Sequence, residues 1–275
     1  MILIFAFFAL FLLIWIVLIP IGPIVQRLLA WAGNRTAAFR HRDYLPVVLV
    51  LVVGLAMTAW LAEEFLDVAV ALQRESPKLT RIDTETHFWA RELRTPGANL
   101  FLIAMTQLGS PPGLAIIVIA VCGVLIRQGR RRWAAYLILT SVSGGALVLA
   151  LKMYFARARP DLAEALRKAV GYSFPSGHAM GTTVVFGALS YLALRMTRPW
   201  KQKAGVIAAF YTVIAAVSFS RVYIGVHWMS DIAAGIAAGT VWVGITTVAY
   251  EAFRRIRLVR ARRRAVTSEV AASSA

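Results

Sequence analysis

Residues 133–153 read WAAYLILTSVSGGALVLALKM, and Lys152 carries the only charge in this stretch. About 20 consecutive apolar residues are enough for a helix to cross the hydrocarbon core of a bilayer. Arg130, Arg131 and Arg132 stand directly before the run, in the kind of basic loop that flanks membrane helices. The stretch therefore predicts a transmembrane helix.

Similar apolar runs recur on both sides of this stretch. The chain has 275 residues, of which 59% are hydrophobic and only 16% are charged, whereas soluble domains have about 25% charged residues. The predicted spans are 2–21, 46–65, 112–127, 133–153, 178–195, 204–221 and 229–250. The predicted fold class is therefore all-α, a polytopic bundle of membrane helices.

The formal net charge is +17, and a strongly basic chain can indicate a nucleic-acid partner. Here the basic residues form short clusters after the first, third and fifth spans and in the tail 254–264. Alternating spans put all four clusters on one side, which the positive-inside rule makes cytoplasmic. We therefore expect an integral membrane protein without a nucleic-acid partner. The outer side would be formed by 63–98, 154–177 and 222–228.

This topology divides the chain into three parts. Residues 1–45 would hold an added N-terminal transmembrane helix and a cytoplasmic loop, 46–253 the membrane domain, and 254–275 a basic cytoplasmic tail. The tail after Arg264 is rich in Ala and Ser, and it is expected to be disordered. Segment 63–98 has mixed polarity and is expected to lie at the outer membrane surface. Its pattern fits a lid over a substrate entrance and a simple connector equally well.

Two clusters of polar residues lie at span ends on the predicted outer side. Lys152 and Arg159 are about two helical turns apart, so both cations can face the same way, and Pro160 then ends the helix. The second cluster is Pro175-Ser176-Gly177-His178. Ser176 is a suitable helix N-cap, and free N–H groups at a helix start bind phosphate. Alone, each cluster also fits a structural role, as an interfacial lysine or an ordinary capped helix.

The third cluster comprises Ser220-Arg221, His227 and Asp231. His227 and Asp231 are four residues apart, so on a helix they share a face. A carboxylate at one imidazole nitrogen fixes the tautomer and leaves the other nitrogen free to attack or to take a proton. A structural His–Asp pair would have the same spacing. However, the alternating spans put all three clusters on one side, which gives the cations, nucleophile and acid that phosphoryl transfer needs.

The three clusters together resemble the type 2 phosphatidic acid phosphatase (PAP2) superfamily, which also includes the vanadium haloperoxidases. The family pattern is K-x6-R-P, then P-S-G-H, then S-R-x5-H-x3-D. This chain has it as Lys152…Arg159-Pro160, Pro175-Ser176-Gly177-His178 and Ser220-Arg221…His227…Asp231. The resemblance is to the membrane lipid phosphatases, and it implies a core of six membrane helices over about 46–250. The span 2–21 would be an addition to that core.

The resemblance also implies a role for each matched residue. His227 would attack the phosphorus and form a phosphohistidine, Asp231 would orient His227, and His178 would protonate the leaving oxygen and then activate water. The phosphate oxygens would be held by Lys152, Arg159, Ser176, Gly177 and Arg221. The lipid phosphatases of the family need no metal, so neither a metal nor another cofactor is expected.

The predicted function is removal of phosphate from a lipid phosphate or diphosphate at the outer membrane face. By resemblance, the candidate substrates are undecaprenyl diphosphate, phosphatidate, phosphatidylglycerol phosphate and lipid A phosphates. A lipid phosphotransferase using the same site, a vanadium haloperoxidase-like enzyme and a non-enzymatic transporter or scaffold are the alternatives. The expected partners are the lipid substrate and the surrounding membrane lipids, and the sequence indicates no particular oligomeric state.

Overall fold

The computed structural model describes residues 6–7, 9–14, 16–17, 27 and 45–273 except Arg198, with the backbone alone for 45–55, 57, 162 and 258–273. Within these residues the chain is helical and has no strand, which confirms the all-α prediction. Most of the predicted span 2–21 lies outside the described residues. Of its described part, Phe7 packs against Phe101 and Phe219.

The helices of the described part follow one another with short connections. In chain order they are α1 (Leu45–Gln73), α2 (Pro77–Glu92), α3 (Pro96–Leu108), α4 (Pro111–Arg127), α5 (Arg131–Phe155), α6 (Gly177–Met196), α7 (Trp200–Ile224) and α8 (Met229–Ser273). The longest connection, between α5 and α6, contains a single 3₁₀ turn at Leu162–Glu164. This connection lies beside the polar clusters identified in the sequence.

In the part of the chain that the structure describes, four helices are by themselves long and apolar enough to cross a membrane: α5, α6, α7 and the Met229–Arg257 part of α8. They contain the predicted spans 133–153, 178–195, 204–221 and 229–250, and α1 contains the span 46–65. The span 112–127 was predicted incompletely. It corresponds to α4, which is long and apolar enough only together with α3; the two helices are bent by 56° relative to each other, as in a broken span or a re-entrant loop.

Segment 63–98, which is expected at the outer membrane surface, contains the end of α1, which continues to Gln73, and the polar helix α2, which packs against α7 and α8. Its position relative to the membrane stays a prediction. The end of the chain was expected to be disordered after Arg264. Instead, α8 continues to Ser273. The arginines and alanines up to Ala265 favour a helix, and the residues after them extend it.

Helix α8 packs closely against α6 through two glycines spaced by four residues. A Cβ atom on Gly235 would lie 3.0 Å from the Ser176 carbonyl oxygen, and one on Gly239 would lie 2.8 Å from Thr183 Cβ. Small residues at this spacing let two membrane helices approach until their backbones touch. The contact fixes the start of α8 beside the start of α6, where the backbone N–H of Ser176 donates to the carbonyl of Asp231 at 3.0 Å.

The turn between α7 and α8 brings the third cluster into the same place. Gly225 ends α7 with a φ of 88°, a left-handed conformation that glycine adopts without strain. The chain then reverses so that His227 lies just before α8 and Asp231 lies in its first turn. The C-terminal ends of α5 and α7 therefore meet the N-terminal ends of α6 and α8.

Candidate active site

His227 and Asp231 form the centre of this meeting point. Both side chains are buried, and His227 Nδ1 lies 3.2 Å from Asp231 Oδ2. Nδ1 therefore carries the imidazole proton and donates a hydrogen bond to the carboxylate, whereas Nε2 is unprotonated and keeps its lone pair. Nε2 lies 3.2 Å from Arg159 Nη1. The structure thus brings His227 and Asp231 into contact, although His227 precedes α8 and the two do not share a helical face.

Asp231 is held by more donors than His227 alone. Its Oδ2 atom also accepts hydrogen bonds from the Ser173 hydroxyl and from the backbone N–H of Trp228, the latter at 2.9 Å. Its Oδ1 atom lies 2.6 Å from Arg157 Nη1. A carboxylate that accepts several hydrogen bonds and faces a guanidinium remains ionised even when buried. Asp231 therefore has a fixed position from which to orient the imidazole.

Arg157 connects Asp231 to a second buried carboxylate, Asp83 of α2. Arg157 Nη2 lies 2.7 Å from Asp83 Oδ2. Asp83 also accepts from Ser230, from its backbone N–H at 2.9 Å and from its hydroxyl at 2.6 Å. Ser230 in turn receives a hydrogen bond from Arg157 at 2.7 Å. The result is a closed network from α2 through Arg157 to the His227–Asp231 pair.

Lys152 and Arg159 approach His227 from the end of α5 and the loop that follows. Arg159 donates to the carbonyls of Gly171 at 2.9 Å and Val226 at 2.7 Å. Lys152 donates to the carbonyls of Tyr172 and Ser173. These backbone contacts hold both cations at the cavity that His227 also lines. The expectation that one helix carries both cations and ends at Pro160 was wrong, because α5 ends at Phe155 and Ala156 has a left-handed φ of 45°. Arg159 therefore reaches the site from the loop.

Arg221 completes the group of cations from the end of α7. Its side chain is buried, and Nη1 donates to the Thr106 hydroxyl at 2.6 Å. Its Nε atom is buried without a hydrogen-bond partner among the described residues. A buried guanidinium N–H without a partner is costly, so this donor is available to an anion.

Ser176 and Gly177 have different positions in the site. Ser176 is fully buried and caps α6, because its hydroxyl accepts from the backbone N–H of Ala179 at 3.4 Å. Gly177 faces Lys152, and a Cβ atom there would lie 3.6 Å from Lys152 Cε. The first N–H groups of α6 thus lie at the anion-binding end of a helix, next to a cation.

A cavity of about 970 Å³ joins these groups. Six of the eight predicted site residues line it: Lys152, Arg159, Gly177, His178, Arg221 and His227. Ser176 and Asp231 lie behind that wall as the helix cap and the partner of His227. Arg167 and Lys168 also line the cavity, and no carboxylate among the described residues does, so the cavity is suited to a multiply charged anion.

Burial sets the protonation state of the candidate nucleophile. The pKa of His227 is lowered from its ordinary value, because burial disfavours the charged imidazolium, although Asp231 opposes this effect. The neutral form, whose Nε2 can attack, is therefore the form present at neutral pH.

Several residues of the site were not predicted from the sequence: Asp83, Thr106, Arg157 and Ser173. Arg157 had a detectable signal, because it lies two residues before Arg159 in the first motif. Asp83 had a weaker signal, since it is an acidic residue in a segment predicted on the outer side. Ser173 and Thr106 act through contacts between distant segments, and residue spacing does not reveal such contacts.

Comparison with known proteins supports a single family. The family model of the PAP2 superfamily matches residues 133–255. Phosphatidylglycerophosphatase B of Bacillus subtilis (strain 168) is 31% identical over 152 residues, which cover 54% of this chain and 72% of that protein. An undecaprenyl-diphosphatase of Sulfolobus acidocaldarius is 39% identical over 93 residues, which cover 34% of this chain but only 40% of that protein.

The fold is also similar to a solved structure. The crystal structure of a transmembrane PAP2 type phosphatidylglycerolphosphate phosphatase from Bacillus subtilis superposes with a TM-score of 0.64. The superposition covers 70% of this chain and 96% of that one, at 24% sequence identity. At this identity the likeness concerns the arrangement of the helices, and it agrees with the all-α bundle described above.

Proposed function

This chain belongs to the PAP2 superfamily and is an integral membrane phosphatase, and from that premise we propose that it hydrolyses lipid phosphates or diphosphates through a phosphohistidine on His227. The chemistry is that of phosphoryl transfer, in which a positioned nucleophile and surrounding cations do most of the work. No metal takes part in the proposed mechanism.

The shape of the cavity is the main observation that supports a lipid as the substrate. One end holds the cations and both histidines, and the other end is lined by apolar residues of α4 and α5. Two of these, Ile119 and Leu149, are 71% and 62% exposed on helices of membrane-spanning character, so they face the acyl chains of the bilayer. A lipid can therefore place its phosphate at His227 while its hydrocarbon chain remains in the apolar phase.

In the first step, His227 Nε2 attacks the terminal phosphorus, and an N–P bond forms as the bond to the leaving oxygen breaks. Asp231 stabilises the positive charge that develops on the imidazole. Lys152, Arg159 and Arg221 neutralise the equatorial oxygens. His178 gives its proton to the leaving oxygen, and the bound phosphate beside it favours the protonated form of His178. The product is a lipid alcohol or, from a diphosphate, a lipid monophosphate.

In the second step, water replaces the lipid. His178, now neutral, takes a proton from the water, whose oxygen attacks the phosphorus, and the N–P bond breaks. Inorganic phosphate leaves, and both histidines return to their starting state. The same constellation would serve a phosphotransferase if a second lipid, rather than water, accepted the phosphoryl group.

The proposed orientation places this site on the outer face of a bacterial inner membrane. The arginine clusters 127–132 and 254–264 lie at the other end of the bundle, and such clusters stay on the cytoplasmic side. The names of the relatives suggest phosphatidylglycerol phosphate and undecaprenyl diphosphate as the substrates to test first.

The decisive experiment measures release of inorganic phosphate by the purified protein from each of these lipids, without any acceptor lipid and in the presence of a chelator. We expect release by the wild type and none by His227→Ala, with a similar Tm for the two proteins. Brief reaction with a lipid labelled at its terminal phosphate should label the wild-type protein through an acid-labile bond. Full activity of His227→Ala would overturn the mechanism. Transfer of the labelled phosphate to an added acceptor lipid, with no release of inorganic phosphate, would favour the phosphotransferase.

A further inference from the structure

A second cavity, of about 420 Å³, lies between the first turns of α5 and the middle of α8, residues 246–257. Its α5 wall begins at Arg132, whereas Lys152 of the active site lies near the other end of the same helix. At 1.5 Å per residue, the two positions are about 30 Å apart along the helix axis. This cleft is therefore separate from the phosphatase site, and it lies at the opposite end of the bundle.

The walls of the cleft are apolar and open toward the lipid. Leu139 and Phe253 line it and are exposed large hydrophobic residues. Its inner wall is formed by Tyr136, which is buried, with the Tyr250 ring 5.0 Å away. The Tyr136 hydroxyl is already hydrogen-bonded to Thr247 at 2.7 Å. The interior of the cleft is therefore apolar, because the hydroxyl of Tyr136 is already bonded, and such a surface suits a hydrocarbon chain.

The mouth of the cleft is positively charged. Arg132, Arg254 and Arg257 all line it. Arg254 is neutralised by Glu251, whose Oε2 lies 2.7 Å from Arg254 Nη2. Among the described residues, no carboxylate lies within ion-pair distance of Arg132 or Arg257; Arg257 stacks over the Phe253 ring at 5.6 Å. Two uncompensated guanidinium groups therefore border an apolar cleft.

We propose that this cleft binds one anionic phospholipid, with an acyl chain along Leu139 and Phe253 and the phosphate between Arg132 and Arg257. Guanidinium groups bind phosphate oxygens with strong, charge-assisted hydrogen bonds. Basic pockets between transmembrane helices are suited to anionic head groups on the side where arginines cluster. The site does not depend on the phosphatase reaction or on the orientation of the chain. In the proposed orientation, its lipid comes from the cytoplasmic leaflet.

A zwitterionic lipid with the same acyl chains is the sharpest comparison, because it would fill the apolar cleft equally well. Native mass spectrometry of the purified full chain should show dioleoyl phosphatidylglycerol bound in preference to dioleoyl phosphatidylcholine. The double variant Arg132→Gln/Arg257→Gln should lose about tenfold or more of its affinity for phosphatidylglycerol, as expected when charge-assisted hydrogen bonds are removed. Its phosphate release from a lipid phosphate should stay at the wild-type level, which shows that the protein is folded.

The matched control is Arg131→Gln/Arg255→Gln. It removes the same charge from the neighbouring positions, which do not line the cleft, so its affinity for phosphatidylglycerol should remain near that of the wild type. Equal binding of the two lipids by the wild type would overturn the proposal. Equal losses in both double variants would also overturn it, because they would show a diffuse effect of surface charge. Unchanged binding in Arg132→Gln/Arg257→Gln would place the bound lipid elsewhere, including the catalytic cavity.

Discussion

Replacing Arg157 with glutamine removes the cation that lies between two buried carboxylates. Arg157 Nη1 is 2.6 Å from Asp231 Oδ1, and Nη2 is 2.7 Å from Asp83 Oδ2. The Asp83 and Asp231 side chains are only 2% and 0% exposed. Water cannot replace the guanidinium at either oxygen, so the variant leaves both charges without their main counterion.

The loss of stability follows from this burial. Removing one partner of a buried ion pair costs about 3–5 kcal/mol, because the remaining charge is left uncompensated. For a chain of this size, each kcal/mol lowers the Tm by about 2–4 °C. Arg157→Gln should therefore unfold roughly 6–20 °C below the wild type. Arg157→Lys keeps the positive charge but lacks the planar fork that reaches both carboxylates, so its Tm should lie between the two.

Arg157→Gln should also lower the activity, because Asp231 would orient His227 less firmly. A hydrogen bond to a charged group contributes about 1.5–3 kcal/mol, and Asp231 loses one that holds it in place. If that energy is lost from the transition state, kcat falls about 10- to 100-fold. Arg157 does not line the catalytic cavity, so KM should change little. A change confined to kcat would identify Arg157 as a positioning residue.

The assay is steady-state phosphate release from a short-chain lipid phosphate, at a temperature where the variants remain folded. Arg81→Gln is the matched control, since Arg81 pairs with Glu85 on the exposed face of α2 and such surface pairs contribute about 0–1 kcal/mol. The double variant Arg157→Gln/Asp83→Asn should lose less stability than the sum of the single changes, because the residues share one contact. Wild-type kcat in Arg157→Gln would refute the reasoning.

Three further predictions concern other contacts. Because burial lowers the pKa of His227, kcat/KM should not decrease through protonation of this group until the pH is below about 6.5. The unfolded chain takes up this proton first, so the free energy of unfolding also decreases as the pH drops below that value. A pH–rate profile tests the first expectation, and urea melts at several pH values test the second. Gly239→Val should lower the free energy of unfolding by about 1–3 kcal/mol through overpacking, since a Cβ there would lie 2.8 Å from Thr183 Cβ. Gly123→Val should not have this effect, because no atom lies within 4 Å of a Cβ at Gly123; thermal melts of both variants test this. Arg221→Lys should weaken vanadate inhibition by about tenfold or more, because the lysine lacks the unpaired Nε donor and the planar fork that binds phosphate-like oxygens; an unchanged inhibition constant would contradict the assigned contact.

Most of the membrane helices could be predicted because each long apolar run must span the bilayer by itself. Helix α3 was missed because its run is interrupted by Asn99, Thr106 and Gln107 and is followed by the sequence GSPP at 109–112. In the structure these polar residues have specific partners. Asn99 accepts from Tyr223 at 2.8 Å, and Thr106 accepts from Arg221. A hydropathy pattern cannot distinguish a polar residue with a tertiary partner from one in a loop.

The residues of the candidate site could be predicted only as far as they lie close together along the chain. His227 and Asp231 are only four residues apart, so their contact is local, and the pair is present although His227 lies just before α8 and not on its first turn. The partners behind them come from distant segments: Asp83 and Ser230 are 147 residues apart in sequence and hydrogen-bonded in the structure. Contacts of this kind depend on how the helices pack, which one sequence does not determine.

The contacts of α2 bear on whether segment 63–98 is a lid over a substrate entrance or a simple connector. A connector at the membrane surface would place its charged residues in water, because burying an ion is costly without compensation. Asp83 is instead buried against Arg157 and Ser230, although it lies outside the family-model match at 133–255. Since Arg157 also holds Asp231, any movement of α2 would disturb the carboxylate that orients His227. Segment 63–98 therefore has a contact that its sequence did not predict: through Asp83 and Arg157 it holds Asp231, and so the proposed nucleophile His227, from outside the motif-bearing helices.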